Sequence, residues 1–231
     1  MLENKKQKYN AILLIEKNNF NYLIKEIFDK TLNNSFNKKI VFIKNNKDLN
    51  KIMKLKKIDY LFNFQQKIIN VEILNKIRFP INFHPGPTKY PGRGGYVWAI
   101  YQKSKYYGCV SHIMKKKVDS GRIIEEARFS IEKFDNVETL KFKSFLTNLR
   151  LFYNVLNNLN FKKKISYKNI QWKRKSLKLV DLEKINTFHK NSSKSLKQLI
   201  IRATEYYPYG PYMLDGQKKI KFKVRKKTHI I

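Results

Sequence analysis

The chain is organised around residues 79–95, Phe79-Pro-Ile-Asn-Phe-His-Pro-Gly-Pro-Thr-Lys-Tyr-Pro-Gly-Arg-Gly-Gly95. Four of the eight glycines and four of the six prolines lie in this stretch. Because proline fixes φ and glycine permits positive φ, this composition predicts a tight, ordered loop. The apolar run before the loop ends in Asn82 and His84, and on a strand this spacing puts both side chains on one face. For an isolated Asn-x-His-Pro sequence the favoured interpretation is a buried turn with a hydrogen-bonded histidine, and a catalytic role for Asn82 and His84 needs support from other parts of the chain.

The composition indicates a soluble protein with a large core. The chain has 231 residues, of which 42% are hydrophobic and 14% aromatic, and this argues against disorder. No apolar run reaches the roughly 18 residues of a membrane helix, and no signal-peptide hydrophobic region precedes the first short apolar run. We therefore expect a cytoplasmic protein without membrane contact. The single cysteine, Cys109, excludes an internal disulfide and a multi-cysteine metal site, and we predict no metal.

The formal charge of +33 raises the question of nucleic-acid binding. Lysine greatly outnumbers arginine and is spread along the whole chain, whereas base recognition and bidentate phosphate contacts favour arginine. We therefore favour a solvated lysine coat over a dedicated nucleic-acid surface. The field of such a coat would still attract a polyanionic or nucleotide-bearing substrate.

Apolar runs and helical spacings alternate before the loop. We predict strands over 10–15, 39–43, 58–64 and 79–83. We predict helices over 21–32, 47–55 and 71–76, with Asn45 or Asn46 capping the second of them. Strands that alternate with helices through short connections predict a parallel sheet. The first glycine is Gly86, so the turn after the first strand, at 16–19, has no Gly-rich phosphate loop, and this argues against NAD, FAD or ATP bound in the Rossmann manner.

The part of the chain after the loop also contains both predicted strands and predicted helices. Strands are predicted over 107–113 and 122–131, and helices over 96–103, 136–159, 181–189 and 192–203. A hairpin is predicted between 212–214 and 218–224, with Asp215-Gly216 as its turn. The expected fold class is therefore α/β, with a Rossmann-like, open, mostly parallel sheet, helices on both faces, and a short C-terminal helix and β-hairpin extension.

Polar side chains collect at the ends of neighbouring predicted strands. Asn82 and His84 end one strand, His112 ends the next, and Asp119 lies on the turn after a short loop. In an open α/β sheet the ligand crevice lies at the carboxyl ends of the strands. The sequence therefore predicts a site that contains these residues.

Four short motifs follow one another at characteristic spacings. They are Asn82-x-His84-Pro85, Tyr90-Pro91-Gly92, Gly108-x-x-x-His112 and Asp119-x-Gly121-x-Ile123-Ile124. Together they resemble the folate-dependent formyltransferases, the superfamily of glycinamide ribonucleotide formyltransferase, methionyl-tRNA formyltransferase and nucleotide-sugar N-formyltransferases. Residues 57–74 also look like the strand and folate-loop segment of this family. The resemblance implies a catalytic domain over 1–165 and a small C-terminal extension over 166–231 that packs on the core.

The resemblance further implies a catalytic set of Asn82, His84 and Asp119 that moves a formyl group from N10-formyltetrahydrofolate to a primary amine. Attack on a formamide carbon produces an oxyanion, to which the Asn82 amide or a protonated His84 could donate. The attacking amine must lose a proton, which a neutral His84 or a water held by Asp119 could accept. Both alternatives stay open at this point.

By the same resemblance, the formyl donor would lie against two loops. The implied cofactor contacts are Gln65, Gln66, Lys67, Ile68, Ile69, Met114, Lys115, Lys116 and Val118. Ile68, Ile69 and Met114 would form an apolar wall for the pterin, with ordinary core as the competing interpretation. The implied substrate contacts are Pro85, Gly86, Tyr90, Arg93 and His112. His112 would support Asp119, or would be a hydrogen-bonded strand-end histidine.

Several segments differ from the usual family sequence, and some of these differences indicate which amine accepts the formyl group. The segment 86–88 is shorter than in many relatives and looks like the sugar-modifying branch, whereas 115–117 is all lysine where relatives often carry acidic residues. The stretch 201–212 resembles the short tail of formyltransferases that act on small or sugar amines. Its Arg202 and the tyrosines Tyr206, Tyr207 and Tyr209 would pack on the core or stack on a base.

We therefore predict an N-formyltransferase that acts on a nucleotide-linked amino sugar, with a homodimer left open. The alternatives are a methionyl-tRNA formyltransferase-like enzyme acting on charged tRNA and a nucleic-acid-binding module on an inactive formyltransferase fold.

Overall fold

The computed structural model describes residues 8–16, 21–55, 57–162, 164–206 and 209–222. Its elements in chain order are β1 (Tyr9–Ile15), α1 (Asn21–Thr31), β2 (Phe36–Phe42), α2 (Asn46–Met53), β3 (Ile58–Phe64), α3 (Val71–Asn75), β4 (Ile77–His84), α4 (Gly95–Tyr101), β5 (Tyr106–Ile113), β6 (Ile123–Ser130), α5 (Val137–Lys162), a 3₁₀ helix (Leu179–Lys184), β7 (Thr187–His189), α6 (Lys194–Thr204), β8 (Tyr212–Asp215) and β9 (Lys218–Lys221). Residues 17–19 of the predicted first turn, Tyr207 and residues 223–224 of the predicted hairpin lie outside the described residues.

The larger sheet has six strands in the order β2-β1-β3-β4-β5-β6 within the described residues. The first four strands in this order run parallel, and β5 and β6 are added antiparallel. The central strands β1 and β3 are nearly continuous apolar runs, as expected for strands with both faces covered. This arrangement confirms the predicted Rossmann-like α/β fold.

Helices cover both faces of this sheet. Successive side chains of a strand point to opposite faces, so Leu13 and Phe62 pack against α1 and α5, whereas Leu14 and Leu61 pack against α2 and α3. Asn45 caps α2, as predicted, and its side chain accepts from Lys47 N at 2.9 Å. Because both faces are occupied, the carboxyl edge of the parallel strands is the place where the fold leaves room for a ligand.

The C-terminal elements pack beside α4. Leu182 of the 3₁₀ helix and Ala203 of α6 share a buried cluster with Val97 of α4. The strands β7, β8 and β9 form a small second sheet, in which β7 and β8 are parallel and β9 is antiparallel.

Two predictions in this region were wrong in detail. The predicted helix over 181–189 is a 3₁₀ helix followed by β7, because the apolar spacing of Leu182 and Ile185 fits either helix type and β8 offers an edge to which β7 can pair. The hairpin turn is Gly216-Gln217 rather than Asp215-Gly216, since Asp215 pairs with Lys218. Gly216 has φ +60° at the first central position, where two-residue hairpins prefer glycine.

Candidate active site

Three polar side chains form a row across β3, β4 and β5. Asn82 of β4 pairs in register with Asn63 of β3 and with His112 of β5. Residues paired across strands point to the same face, so the three side chains are neighbours. Asn63 Nδ2 donates to Asn82 Oδ1 at 2.7 Å, and Asn82 Nδ2 lies 3.1 Å from His112 Nε2. His84, two residues after Asn82, lies on the same face, so the predicted neighbours Asn82, His84 and His112 are brought together.

Asp119 closes this row from the turn after β5. Its carboxylate is buried, with Oδ2 3.3 Å from His84 Nδ1 and Oδ1 3.3 Å from His112 Nε2. Gly92 N donates to Oδ2 at 2.7 Å. The backbone of Asp119 has φ +44°, a left-handed conformation that aspartate tolerates better than most residues and that often occurs at functional sites. The turn therefore aims one carboxylate at two imidazoles and one amide.

The electrostatics of this set favour an ionised Asp119 beside a neutral His84. Burial by itself raises the pKa of Asp119, but His84, His112 and the Gly92 amide outweigh burial and lower the pKa to about 2. Burial lowers the pKa of His84 from its ordinary value of 6.5, and the attraction of Asp119 opposes this shift only in part. At neutral pH the pair is therefore a carboxylate and a neutral imidazole.

The Gly- and Pro-rich loop holds His84 from the other side. His84 Nε2 lies 3.1 Å from Tyr90 O. A Cβ added at Gly86 would lie 2.5 Å from His84 Nε2, so a larger residue there would displace the imidazole. The Tyr90 ring is fully buried and its hydroxyl donates to Gln102 at 2.8 Å. We therefore correct the predicted substrate contact of Tyr90: its side chain belongs to the core, and its backbone oxygen belongs to the site.

Trp172 covers both imidazoles and was missed by the sequence analysis. Its ring lies edge-on to His112, with centroids 5.0 Å apart, and to His84, with centroids 5.9 Å apart. Its Nε1 donates to Gly121 O at 2.8 Å. A tryptophan within an otherwise polar, lysine-rich link is the signal that could have found it.

The backbone around Trp172 is joined to the Gly- and Pro-rich loop. Lys173 N donates to Thr88 O at 3.0 Å and Leu177 N donates to Pro91 O at 2.8 Å. Arg93 N donates back to Leu177 O at 2.9 Å. Residues 168–178, the site segment, therefore form part of the wall around His84, although the predicted domain division places them in the C-terminal extension.

Comparison with protein families supports the chemistry that these residues suggest. The model of the family described as formyl transferase matches residues 4–156. The chain belongs to the formyl transferase family. This confirms the family that was predicted from the four motifs.

Solved structures share the fold of this formyl transferase at low identity. A 4-N formyltransferase from Francisella tularensis has a TM-score of 0.74 at 17% identity, and the match covers 94% of this chain and 97% of the other. A sugar N-formyltransferase from Shewanella has a TM-score of 0.73 at 18% identity, with the same coverage. An N-formyltransferase from Helicobacter canadensis, in complex with folinic acid and dTDP-3-aminofucose, has a TM-score of 0.64 at 18% identity and covers 92% and 86%. A comparison with curated proteins finds no match.

The predicted donor loop at 65–69 divides into buried and exposed residues. Gln65 is buried, and its amide is bonded to Asn63 and to the backbone of Lys67. Ile69 is buried in the core beside α2 and α3, so for this residue the core interpretation holds. Ile68 is 74% exposed and is available for a ligand. The side chains of Gln66 and Lys67 are exposed as well.

The second predicted donor loop lines a cleft of about 420 Å³. Its apolar side is formed by Val71, Leu74, Pro80 and Met114, and its polar side by Lys115, Lys116, Lys117 and Ser120. Val118 is exposed and is not among the residues that line the cleft. On the other loop, Pro85 and Arg93 are exposed beside the site.

Neither a metal site nor a membrane-spanning helix is present in the described part of the chain. No group of three histidine, cysteine, aspartate or glutamate side chains there is arranged to hold a metal ion. Among the described helices, none is long and apolar enough to cross a membrane.

Proposed function

We propose that this formyl transferase moves a formyl group from N10-formyltetrahydrofolate to the primary amine of a nucleotide-linked amino sugar. The observation that carries the proposal is the contact of the Asn82 amide with a buried His84–Asp119–His112 set at the end of β4. An amide donor beside a carboxylate–imidazole pair suits acyl transfer to an amine. The acceptor rests on solved structures of similar fold, of which one is described as a sugar N-formyltransferase and another as an N-formyltransferase in complex with folinic acid and dTDP-3-aminofucose.

Asn82 would stabilise the oxyanion. The amine nitrogen attacks the formyl carbon and the carbonyl oxygen gains negative charge. The bond from carbon to N10 then breaks as N10 takes the proton that the amine has lost. Asn82 Oδ1 is occupied by Asn63, so the amide presents its nitrogen to the site. That nitrogen carries two hydrogens, and the contact with His112 uses one of them. The other would donate to the oxyanion.

The His84–Asp119 pair would take the proton that the amine loses. A neutral imidazole is a competent base, and burial keeps His84 in that form. When protonated, its two N–H groups would face two acceptors, Asp119 Oδ2 and Tyr90 O. The pair therefore stabilises the charged state that forms during the reaction.

We propose that the donor binds in the cleft beside Met114. Met114 and Leu74 give an apolar surface of the kind that a pterin needs, and Ile68 lies on the adjacent donor loop. Lys115, Lys116 and Lys117 would face the carboxylates of the glutamate tail. In this proposal residues 1–165 form the catalytic domain and 166–231 the extension, from which Trp172 reaches the site. A cytoplasmic location stays our prediction, and the homodimer stays an open alternative for the working form.

A panel assay tests the proposal. Purified protein would be given formyltetrahydrofolate with nucleotide-linked amino sugars, glycinamide ribonucleotide or methionyl-tRNA, and tetrahydrofolate release would be measured. We expect release with an amino sugar and none with the other amines. An Asp119→Asn preparation and a reaction without amine would correct for spontaneous hydrolysis.

Two results of this assay would change the assignment. Release with methionyl-tRNA alone would favour the tRNA enzyme. No release with any amine, together with RNA binding that weakens steeply with salt, would favour the nucleic-acid-binding alternative.

A further inference from the structure

We infer that Asn63 and Gln65 are positioning residues that fix the orientation of the Asn82 amide from the backbone of the donor loop. The inference rests on the proposed function, in which Asn82 donates to the oxyanion. It assigns a task to two side chains that lie outside the Asn82–His84–Asp119 set.

We call the chain of hydrogen bonds from Lys67 through Gln65 and Asn63 to Asn82 the relay. It begins at Lys67, whose main chain fixes the orientation of the Gln65 amide. Lys67 N donates to Gln65 Oε1, and Gln65 Nε2 donates to Lys67 O at 2.8 Å. A backbone N–H can only donate and a backbone carbonyl can only accept. The two ends of the Gln65 amide are therefore distinguished without any titratable group.

Gln65 passes this orientation to Asn63. Gln65 Nε2 donates to Asn63 Oδ1 at 2.9 Å, and Asn63 Nδ2 donates to Gln65 O at 3.1 Å. Both side chains are 5% exposed, so water competes little for these bonds. Asn63 Nδ2 then donates to Asn82 Oδ1 at 2.7 Å, the shorter of its two bonds.

The contact of Asn82 Nδ2 with His112 requires the same orientation of the Asn82 amide as the relay does. His112 Nδ1 lies 3.0 Å from Ile113 O, which can only accept, so the neutral ring carries its hydrogen on Nδ1. His112 Nε2 is then an acceptor for Asn82 Nδ2. Asp119 Oδ1 also lies 3.3 Å from this nitrogen, and as a carboxylate oxygen it would accept a hydrogen bond there only from the protonated ring.

A flipped Asn82 amide would lose both contacts. The two orientations have nearly the same shape, so hydrogen-bond partners alone choose between them. After a flip, Asn82 would present a nitrogen to the Asn63 nitrogen and an oxygen to the lone pair of His112. It would then offer an acceptor where the oxyanion needs a donor. The conformation of the loop at Lys67 and the chemistry at Asn82 are thereby coupled.

Three nearly isosteric variants test the relay. Asn63→Asp and Gln65→Glu each replace a donating nitrogen by an oxygen, which reverses the polarity passed to Asn82. Gln217→Glu makes the same chemical change at an exposed position in the turn between β8 and β9, outside the residues assigned to the site, and serves as the matched control. We expect kcat to fall about a hundredfold in the first two variants, as for loss of an oxyanion donor. The KM values should stay within about threefold, because a loss confined to the transition state lowers kcat rather than binding, and Gln217→Glu should match the unaltered chain.

A second measurement does not need activity. In 15N-labelled protein, the side-chain NH₂ signal of Asn82 is assigned by its loss in Asn82→Asp. We expect this signal to move in Asn63→Asp and Gln65→Glu and to stay in place in Gln217→Glu. An unmoved signal in the first two variants would overturn the relay.

The two measurements separate failure of the relay from failure of the proposed function. If the unaltered chain transfers formyl groups and Asn63→Asp behaves like Gln217→Glu, the relay is wrong and the function stands. If the unaltered chain transfers none, the proposed function fails, and the NH₂ signal still decides whether Asn63 orients Asn82. A fall in melting temperature with unchanged kcat would show a merely structural role.

Discussion

The indole of Trp172 lies edge-on to the imidazole of His112, with ring centroids 5.0 Å apart and planes at 88°. The site segment 168–178 thereby places an apolar ring beside the two buried histidines that contact Asp119. Excluding water from such a site strengthens each charge interaction within it. The C-terminal part of the chain therefore contributes to the environment of the reaction.

Trp172→Ala is expected to lower kcat about tenfold, since it removes the ring from both imidazoles and the bond to Gly121 O. An aromatic pair contributes about 0.5–1.5 kcal/mol, and about 1.4 kcal/mol corresponds to tenfold in rate. Trp172→Phe keeps a ring and should retain most activity. Steady-state release of tetrahydrofolate measures both, and equal rates for Trp172→Ala and the unaltered chain would contradict the covering role.

Asn82→Ala, His84→Ala and Asp119→Ala are each expected to lower turnover about a hundredfold or more, because each removes an oxyanion donor or part of the proton-accepting pair. His189→Ala changes an exposed histidine of β7 and is the matched control, with no expected effect. Circular dichroism would show that each variant is folded. Normal turnover in any one of the three would withdraw the role of that residue.

The pKa of His84 is expected to lie below 6.5, because burial disfavours its charged form. Its imidazole should therefore stay neutral as the pH falls through 6.5 and become protonated at lower pH. Asp119 raises this pKa, so Asp119→Asn should move the midpoint to still lower pH. NMR titration of the histidine ring protons, with His84 assigned by its loss in His84→Gln, measures both midpoints. A midpoint above 6.5 in the unaltered chain would contradict the burial argument.

Gly86→Ala is expected to lower kcat about tenfold with little loss of fold. The added methyl carbon would lie 2.5 Å from His84 Nε2 and 2.9 Å from Tyr90 O, so the imidazole must shift. Small displacements of reacting groups cost one to two orders of magnitude in rate. Gly216→Ala is the control, since its methyl meets nothing within 4 Å and only its φ of +60° is strained. That control should cost about 1 kcal/mol of stability and no activity.

The sequence predicted most of the fold because its signals are local. The predicted strand over 58–64 coincides with β3, and the helix over 136–159 overlaps α5, since a buried apolar run and a long amphipathic spacing decide these elements without distant partners. The error at 181–189 has a non-local cause, because the edge of β8 decides the state of Thr187–His189.

The site residues also divide into those that local sequence predicts and those that depend on distant parts of the chain. Asn82, His84 and Asp119 were predicted from short motifs, and these three residues lie within one stretch of 38 residues, 82–119. Trp172 could not be placed, because the path of the site segment over Gly121 depends on tertiary packing. Asn63 could not be assigned either, because its contact with Asn82 depends on the register between β3 and β4.

The lysines of the donor cleft are expected to favour donors with several glutamates. Lys116 and Lys117 line the cleft beside Met114, and each exposed ion pair contributes up to about 1 kcal/mol. Replacing both by alanine should raise the KM for a triglutamate donor about threefold to tenfold and change the KM for a monoglutamate donor less. A matched variant, Lys218→Ala with Lys219→Ala, removes the same charge from the exposed β9 and should change neither value.

Salt provides a second test of the same cleft. Because exposed charges are screened within about 8 Å at physiological ionic strength, the preference for the triglutamate donor should shrink as salt is added. Without Lys116 and Lys117 this salt dependence should largely disappear, whereas without Lys218 and Lys219 it should persist. An equal loss in the two variants would mean that the overall charge of +33, rather than the cleft, attracts the donor.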